Sequence, residues 1–160
     1  MMFDDSLYDI IGVCRHGLSV ALIKKKQILF VPVLQFKNIS EAAAIYDYPM
    51  GAEEIGRLVF QFFEQMKLRN LTLHIPYQKY WLMPNGIRSY KKYVEAAFLV
   101  GLTWDGDDFK VCRWFPANDR GFEPEHLSND ITINTSVSAK ELGEFILLQF
   151  DYIEKKRQSS

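Results

Sequence analysis

The sequence predicts one α+β domain: an antiparallel or mixed sheet with amphipathic helices packed on it, in two pseudo-repeated halves of about residues 8–76 and 86–156. Three observations predict it. Short β-branched and apolar runs are separated by turn-length breaks, two segments carry a helical period, and one helix-opening motif occurs twice. With 160 residues, of which 48% are hydrophobic, the chain can bury roughly 70% of its unfolded surface in a single core, so residues 1–160 are read as one domain.

Residues 8 to 36 divide into Tyr8 to Cys14, Leu18 to Ile23 and Ile28 to Phe36, three strand-like runs broken at Arg15-His16-Gly17 and at Lys24-Lys25-Lys26-Gln27. Pro32 lies inside the third run and cannot donate to a ladder, so that strand is expected at a sheet edge or at a bulge. Between Asn38 and Tyr48 helix and strand signals compete, with strand favoured in the second half. From Ala52 to Lys67 the residues Ile55, Leu58, Val59, Phe62 and Met66 fall on one face of a helix. Leu71 to Pro76 reads as a short strand, Asn85-Gly86 as a turn and Ser89 to Glu95 as a short helix with Tyr90, Tyr93 and Val94 on one side. Phe98 to Trp104 and Phe109 to Phe115 flank Asp105-Gly106-Asp107-Asp108, which predicts a hairpin. After a polar, turn-rich stretch from Pro116 to Asn129 come a strand over Ile131 to Asn134 and a second amphipathic helix over Ala139 to Lys155. The residues Arg157 to Ser160 are expected to fray.

The repeated motif is Ala52-Glu53-Glu54-Ile55-Gly56-Arg57 and Ala139-Lys140-Glu141-Leu142-Gly143-Glu144. Each copy follows a strand-like segment and puts a carboxylate in the first helical turn, where it complements the helix dipole. Each also places glycine inside a helix at a cost of about 1 kcal/mol relative to alanine. A close approach of the helix to a sheet would justify that cost.

The chemistry-bearing residues exclude most catalytic classes. His16, His74 and His126 are scattered, and Cys14 and Cys112 form neither a C-x-x-C nor a disulfide framework; no metal site is read. Val-Cys-Arg occurs at 13–15 and 111–113, which as thiols on strands reads as inert packing. No nucleophile elbow or phosphate-binding loop is present, and no cofactor is expected. The N-terminus lacks a signal-peptide pattern and no apolar run approaches the roughly 18 to 20 residues of a membrane span, so a cytoplasmic protein with no membrane partner is expected. A net charge of -1 gives no bulk attraction to nucleic acid, and Lys24 to Lys26 read as a turn.

Charge is instead local. Residues 38 to 56 hold Glu41, Asp47, Glu53 and Glu54 with no Lys or Arg, and residues 105 to 130 hold seven acids against Lys110, Arg113 and Arg120. If the two stretches meet, they form an acidic face with Tyr46, Tyr48, Trp104, Trp114 and Phe115 nearby, suited to a basic protein surface. The alternative is that the rings are core and the acids serve solubility. The candidate partner-binding residues are Tyr46, Asp47, Tyr48, Asp105, Asp107, Asp108, Trp114, Asp119, Glu123 and Glu125. Asp105, Asp107 and Asp108 could also serve acid/base chemistry, although three carboxylates in one turn more often form a solvated tip.

Three segments together resemble the immunity proteins of bacterial contact-dependent growth inhibition systems (CdiI). They are the two Ala-x-Glu-[Ile/Leu]-Gly helix starts, the central Gly86-Ile87-Arg88-Ser89-Tyr90-Lys91-Lys92-Tyr93, and Trp104-Asp105-Gly106-Asp107 through Arg120-Gly121-Phe122-Glu123-Pro124. The family pattern has a tryptophan or similar aromatic where Tyr90 stands, and a Gly-Phe pair like Gly121-Phe122 leading to a strand and the second helix. The likeness spans roughly residues 45 to 155 and leaves out the N-terminal meander. It implies a non-catalytic inhibitor whose partner is the C-terminal toxin domain of a cell-surface effector, often a nuclease. It also implies that a toxin hairpin could add to a sheet edge, the segment around Pro32 being one candidate. The competing readings are a small acid/base enzyme and a housekeeping protein-binding adaptor.

Overall fold

A computed structural model describes residues 16–34, 37–71, 87–117, 121–125 and 131–159. Among the described residues eight strands form one sheet: β1 (His16–Ile23), β2 (Gln27–Leu34), β3 (Lys37–Asn38), β4 (Ala44–Asp47), β5 (Ala97–Trp104), β6 (Asp108–Ala117), β7 (Gly121–Pro124) and β8 (Ile131–Asn134). The helices are α1 (Ala52–Lys67), α2 (Tyr90–Ala96) and α3 (Ala139–Gln158), with a 3-10 turn over Ser40–Ala42. The main path is β3-β2-β1-β5-β6-β7, with β4 also pairing β2 and β8 also pairing β6. Among the described residues every pairing is antiparallel.

The two sides of the β1–β5 seam follow one plan. A hairpin's second strand is flanked by two further short strands, and the latter of these leads into a long helix. Four β2–β4 pairs, from Gln27 opposite Asp47 to Phe30 opposite Ala44, correspond to four β6–β8 pairs, from Asp108 opposite Asn134 to Val111 opposite Ile131.

Period-two alternation sends Leu18, Val20, Leu22, Ile28, Phe30, Val100, Leu102, Phe109 and Val111 to one face, under α1 and α3. Ile55, Val59, Met66, Leu142, Ile146 and Ile153 are buried against them, each large side chain contributing roughly 1.5–3 kcal/mol. Ala21, Ile23, Leu29, Val31 and Ala97 face the other way and pack with Tyr93 of α2. The expected α+β fold is therefore present, with helices on both sheet faces.

The doubled motif finds its reason in the helix pair. A Cβ on Gly56 would lie 1.8 Å from the Ala139 carbonyl oxygen, and a Cβ on Gly143 would lie 1.7 Å from that of Ala52. Each glycine thus admits the backbone that opens the other helix. The expected close approach is between helices, and the sheet is not its cause. At α3 the first turn is closed by a capping box, with Ser138 Oγ accepting from the Glu141 N–H and the Glu141 carboxylate accepting from the Ser138 N–H.

Several expectations need correction. β2 is not an edge: it pairs β1 on one side and β3 and β4 on the other. Pro32 is tolerated because its carbonyl, and with it the position of its missing N–H, faces the gap between β3 and β4, where Ile39 N–H donates to that carbonyl at 2.8 Å. His16 and Gly17 belong to β1 and not to a turn, and the polar stretch after Pro116 contains β7, too short and too polar to show a strand period. Arg157 is pinned and does not fray, because its guanidinium donates to the carbonyls of Ala97 at 2.7 Å, Glu95 at 3.0 Å and Val94 at 3.3 Å. The predicted strand Tyr8 to Cys14, the body of the one after Leu71 and the Asn85-Gly86 turn lie outside the described residues.

Candidate functional site

Residues 46 to 48 and the aspartate turn, the parts of the two acidic segments that carry most of the candidates, do not form one face. β1 and β5 run antiparallel with Ile23 opposite Ala97 and His16 opposite Trp104. The turn after β1 and the turn after β5 therefore stand at opposite ends of the sheet, roughly 25 Å apart for strands of this length. Asp47 pairs with Gln27, and the Tyr48 N–H donates to the Lys26 carbonyl at 2.9 Å, so residues 46 to 48 sit at the lysine-turn end. Asp105, Asp107 and Asp108 sit at the other. Topology separates what proximity of charge in the sequence had suggested joining.

The aspartate turn is built from its own side chains. Asp105 Oδ1 accepts from the backbone N–H groups of Asp108 at 2.8 Å and Asp107 at 3.0 Å, and these bonds hold its carboxyl below the usual carboxylate range. The Asp107 carbonyl accepts from both the N–H and the hydroxyl of Thr135, and Asn134 donates to Asp108 Oδ1 at 3.1 Å. Asp105 and Asp107 are exposed. The tip is a solvated, rigid anionic point, and the acid/base reading loses the enclosed geometry it needs.

Most of the nominated aromatics are half-buried and pack on the core. Tyr46 meets Phe30 edge-on at 5.9 Å, and Tyr46, Tyr48, Trp104 and Phe115 all pack on the main cluster. Trp104 also stacks on His16, whose burial lowers its imidazole pKa. Glu125 is internal as well. Its carboxylate receives Arg113 at 2.7 Å, the Tyr152 hydroxyl at 2.7 Å and Lys156 at 3.1 Å, with the Arg113 guanidinium 3.6 Å from the Tyr152 ring centre. Burial opposes ionisation of Glu125, yet the bonds from Tyr152, Lys156 and Arg113 outweigh it and leave the carboxyl below its ordinary value. Glu123 is exposed on β7, and Asp119 lies outside the described residues.

Trp114 differs from the other nominated rings. It projects to the α2 face of the sheet, where with Ser19, Asn38, Tyr90, Tyr93, Leu99 and Phe122 it lines a recess of about 170 Å³. The sequence placed Tyr90 and Tyr93 on one helix side, but their meeting with residues of β1, β3 and β7 depends on strand order. Among the described residues there is no group of three or more His, Cys, Asp or Glu able to hold a metal ion, and no helix is long and apolar enough to cross a membrane. Cys112 is half-buried on β6, and Cys14 lies outside the described residues.

No family model and no curated protein matches the sequence. Solved structures do match the fold. A protein of unknown function from Neisseria meningitidis is similar with a TM-score of 0.61 and 11% identity, over 95% of this chain and 99% of that one. A chain of a CdiA-CT/CdiI toxin and immunity complex from Yersinia pseudotuberculosis is similar with a TM-score of 0.59 and 10% identity, over 89% of this chain and 98% of that one. At such identities the fold is what is shared.

Proposed function

We propose that this chain is an immunity protein that binds and neutralises the toxin domain of a contact-dependent growth inhibition effector. The observation that carries the reading is the end-to-end match in architecture to a chain of a toxin and immunity complex, over nearly all of both chains. The ordered motifs from residue 45 to 155 support it independently. A nuclease toxin is the favoured partner: surfaces that hold phosphate are basic, and the aspartate tip offers a fixed anionic point to steer such a surface. Strand addition would fall to β3, β4, β7 or β8, each of which pairs on one side only among the described residues; β2 is enclosed.

The test is co-expression with the C-terminal domain of the effector encoded immediately upstream. A stable complex at micromolar concentration, with rescue of cells producing the toxin, is the expected result. Failure to co-purify or to protect would end the reading.

A further inference from the structure

We propose that the recess between α2 and the sheet receives one aromatic side chain, tyrosine or tryptophan, presented by the partner polypeptide. The identity of the partner rests on the immunity reading; the ring specificity rests on the recess. Size decides first. At about 170 Å³ the space falls below the roughly 300–1,000 Å³ of pockets for cofactors and drug-sized ligands, and close to the ~150 Å³ cavity that holds a benzene ring.

Charge decides next. None of the described lining residues carries a formal charge, so from them a carboxylate, phosphate or ammonium would gain no countercharge for the hydration it loses. A neutral ring with one polar edge matches a lining that combines Trp114, Tyr90, Tyr93 and Phe122 with the hydroxyl of Ser19 and the amide of Asn38. The rings already adopt pairwise geometry that a further ring would extend, with Tyr93 and Phe122 edge-on at 6.0 Å and Tyr90 and Tyr93 tilted at 6.0 Å.

The walls are also set in advance. A Cβ on Gly101 would come within 2.9 Å of Trp114 Nε1, and a Cβ on Gly121, at φ +88, within 2.6 Å of the Tyr90 ring. Two wall rings thus lie on bare backbone, which fixes them before a guest arrives and lowers the ordering cost of binding. Tyr90 is one of the few large apolar side chains exposed among the described residues.

The experiment has two arms on the full chain. In the first, p-cresol is titrated while the Trp114 indole N–H resonance, assigned with Trp114→Phe, is followed by NMR. A saturable shift in the wild type that is absent in Ser19→Phe, which fills the recess, is expected; no saturable shift overturns the inference. In the second, affinity for the upstream toxin domain is measured for Trp114→Ala and Tyr90→Ala, with circular dichroism confirming the fold. At least a tenfold loss is expected, and wild-type affinity in either folded variant overturns the anchor role while leaving the immunity reading intact. A wild type that binds p-cresol but no toxin domain sinks the immunity reading and keeps the recess as a ring site.

Discussion

The turns after β1 and β5 occupy corresponding places in the two sides of the sheet, yet they carry opposite charge and differ in how far their own side chains close them. In the first, Lys24 and Lys25 take φ of 52° and 54°, a left-handed pair that costs ordinary residues roughly 1–2 kcal/mol each. Outside contacts hold it: the Lys24 N–H on the Ala96 carbonyl at 3.0 Å, the Lys26 carbonyl under the Tyr48 N–H, and Lys25 paired with Glu154 at 2.5 Å. In the second, Gly106 takes φ +107 without penalty and Asp105 closes the loop with its own carboxylate. The aspartate turn is closed by its own side chain and backed by Thr135 and Asn134, whereas the lysine turn has only the Lys26 N–H on the Ile23 carbonyl within it and leans on its neighbours for the rest. The polar tip that is locally satisfied is the one free to serve as a contact point.

The symmetry of the helix pair gives the largest expected effect. Gly56→Ala and Gly143→Ala should each destabilise by about 3 kcal/mol, at the upper end of overpacking costs, because the obstacle is backbone. Urea unfolding of both variants checks this, and unequal losses would show that the two helix starts are not equivalent. Next comes an asymmetry. Arg113→Met should cost about 2–3 kcal/mol, below the 3–5 of a fully broken buried pair, since Lys156 still reaches Glu125.

The same carboxylate sets a pH dependence. Its folded pKa is depressed, so its contribution is fully present above the unfolded value near 4.3 and is lost as pH falls below that value through the folded one. Melting temperatures from pH 7 to pH 3 should therefore fall less steeply in Glu125→Gln than in the wild type. Asp107→Lys should slow association with the toxin domain several-fold at low salt while leaving stability within about 0.5 kcal/mol, as stopped-flow and thermal melts would record. The smallest effect belongs to the strained turn, where Lys24→Asn should stabilise by about 0.5 kcal/mol in the same unfolding assay.

Periodicity made the long elements legible. α1 starts and ends where the spacing of Ile55, Leu58, Val59, Phe62 and Met66 places it, and the β5–β6 hairpin follows from its acidic turn. Pairing order was not legible, since nothing local says that β4 joins β2 or that β8 joins β6. That gap explains the site. Asp47 and Asp107 belong to acidic stretches in sequence but to opposite ends in space, while Ser19 and Phe122 meet at one recess although some hundred positions separate them. Glu125 was legible as an acid and illegible as an interior one, because its partners Tyr152 and Lys156 arrive from a helix that the strand order alone brings near.

Arg157 gives the architecture a mechanical link between its two sides. Anchored in α3 over one face, it grips the carbonyls where α2 ends and β5 begins. The same guanidinium ties the end of α2 to a helix on the far side of the sheet. The seven-residue helix that carries Tyr90 is thereby held at its C-terminal end by α3 as well as by its own packing on the sheet.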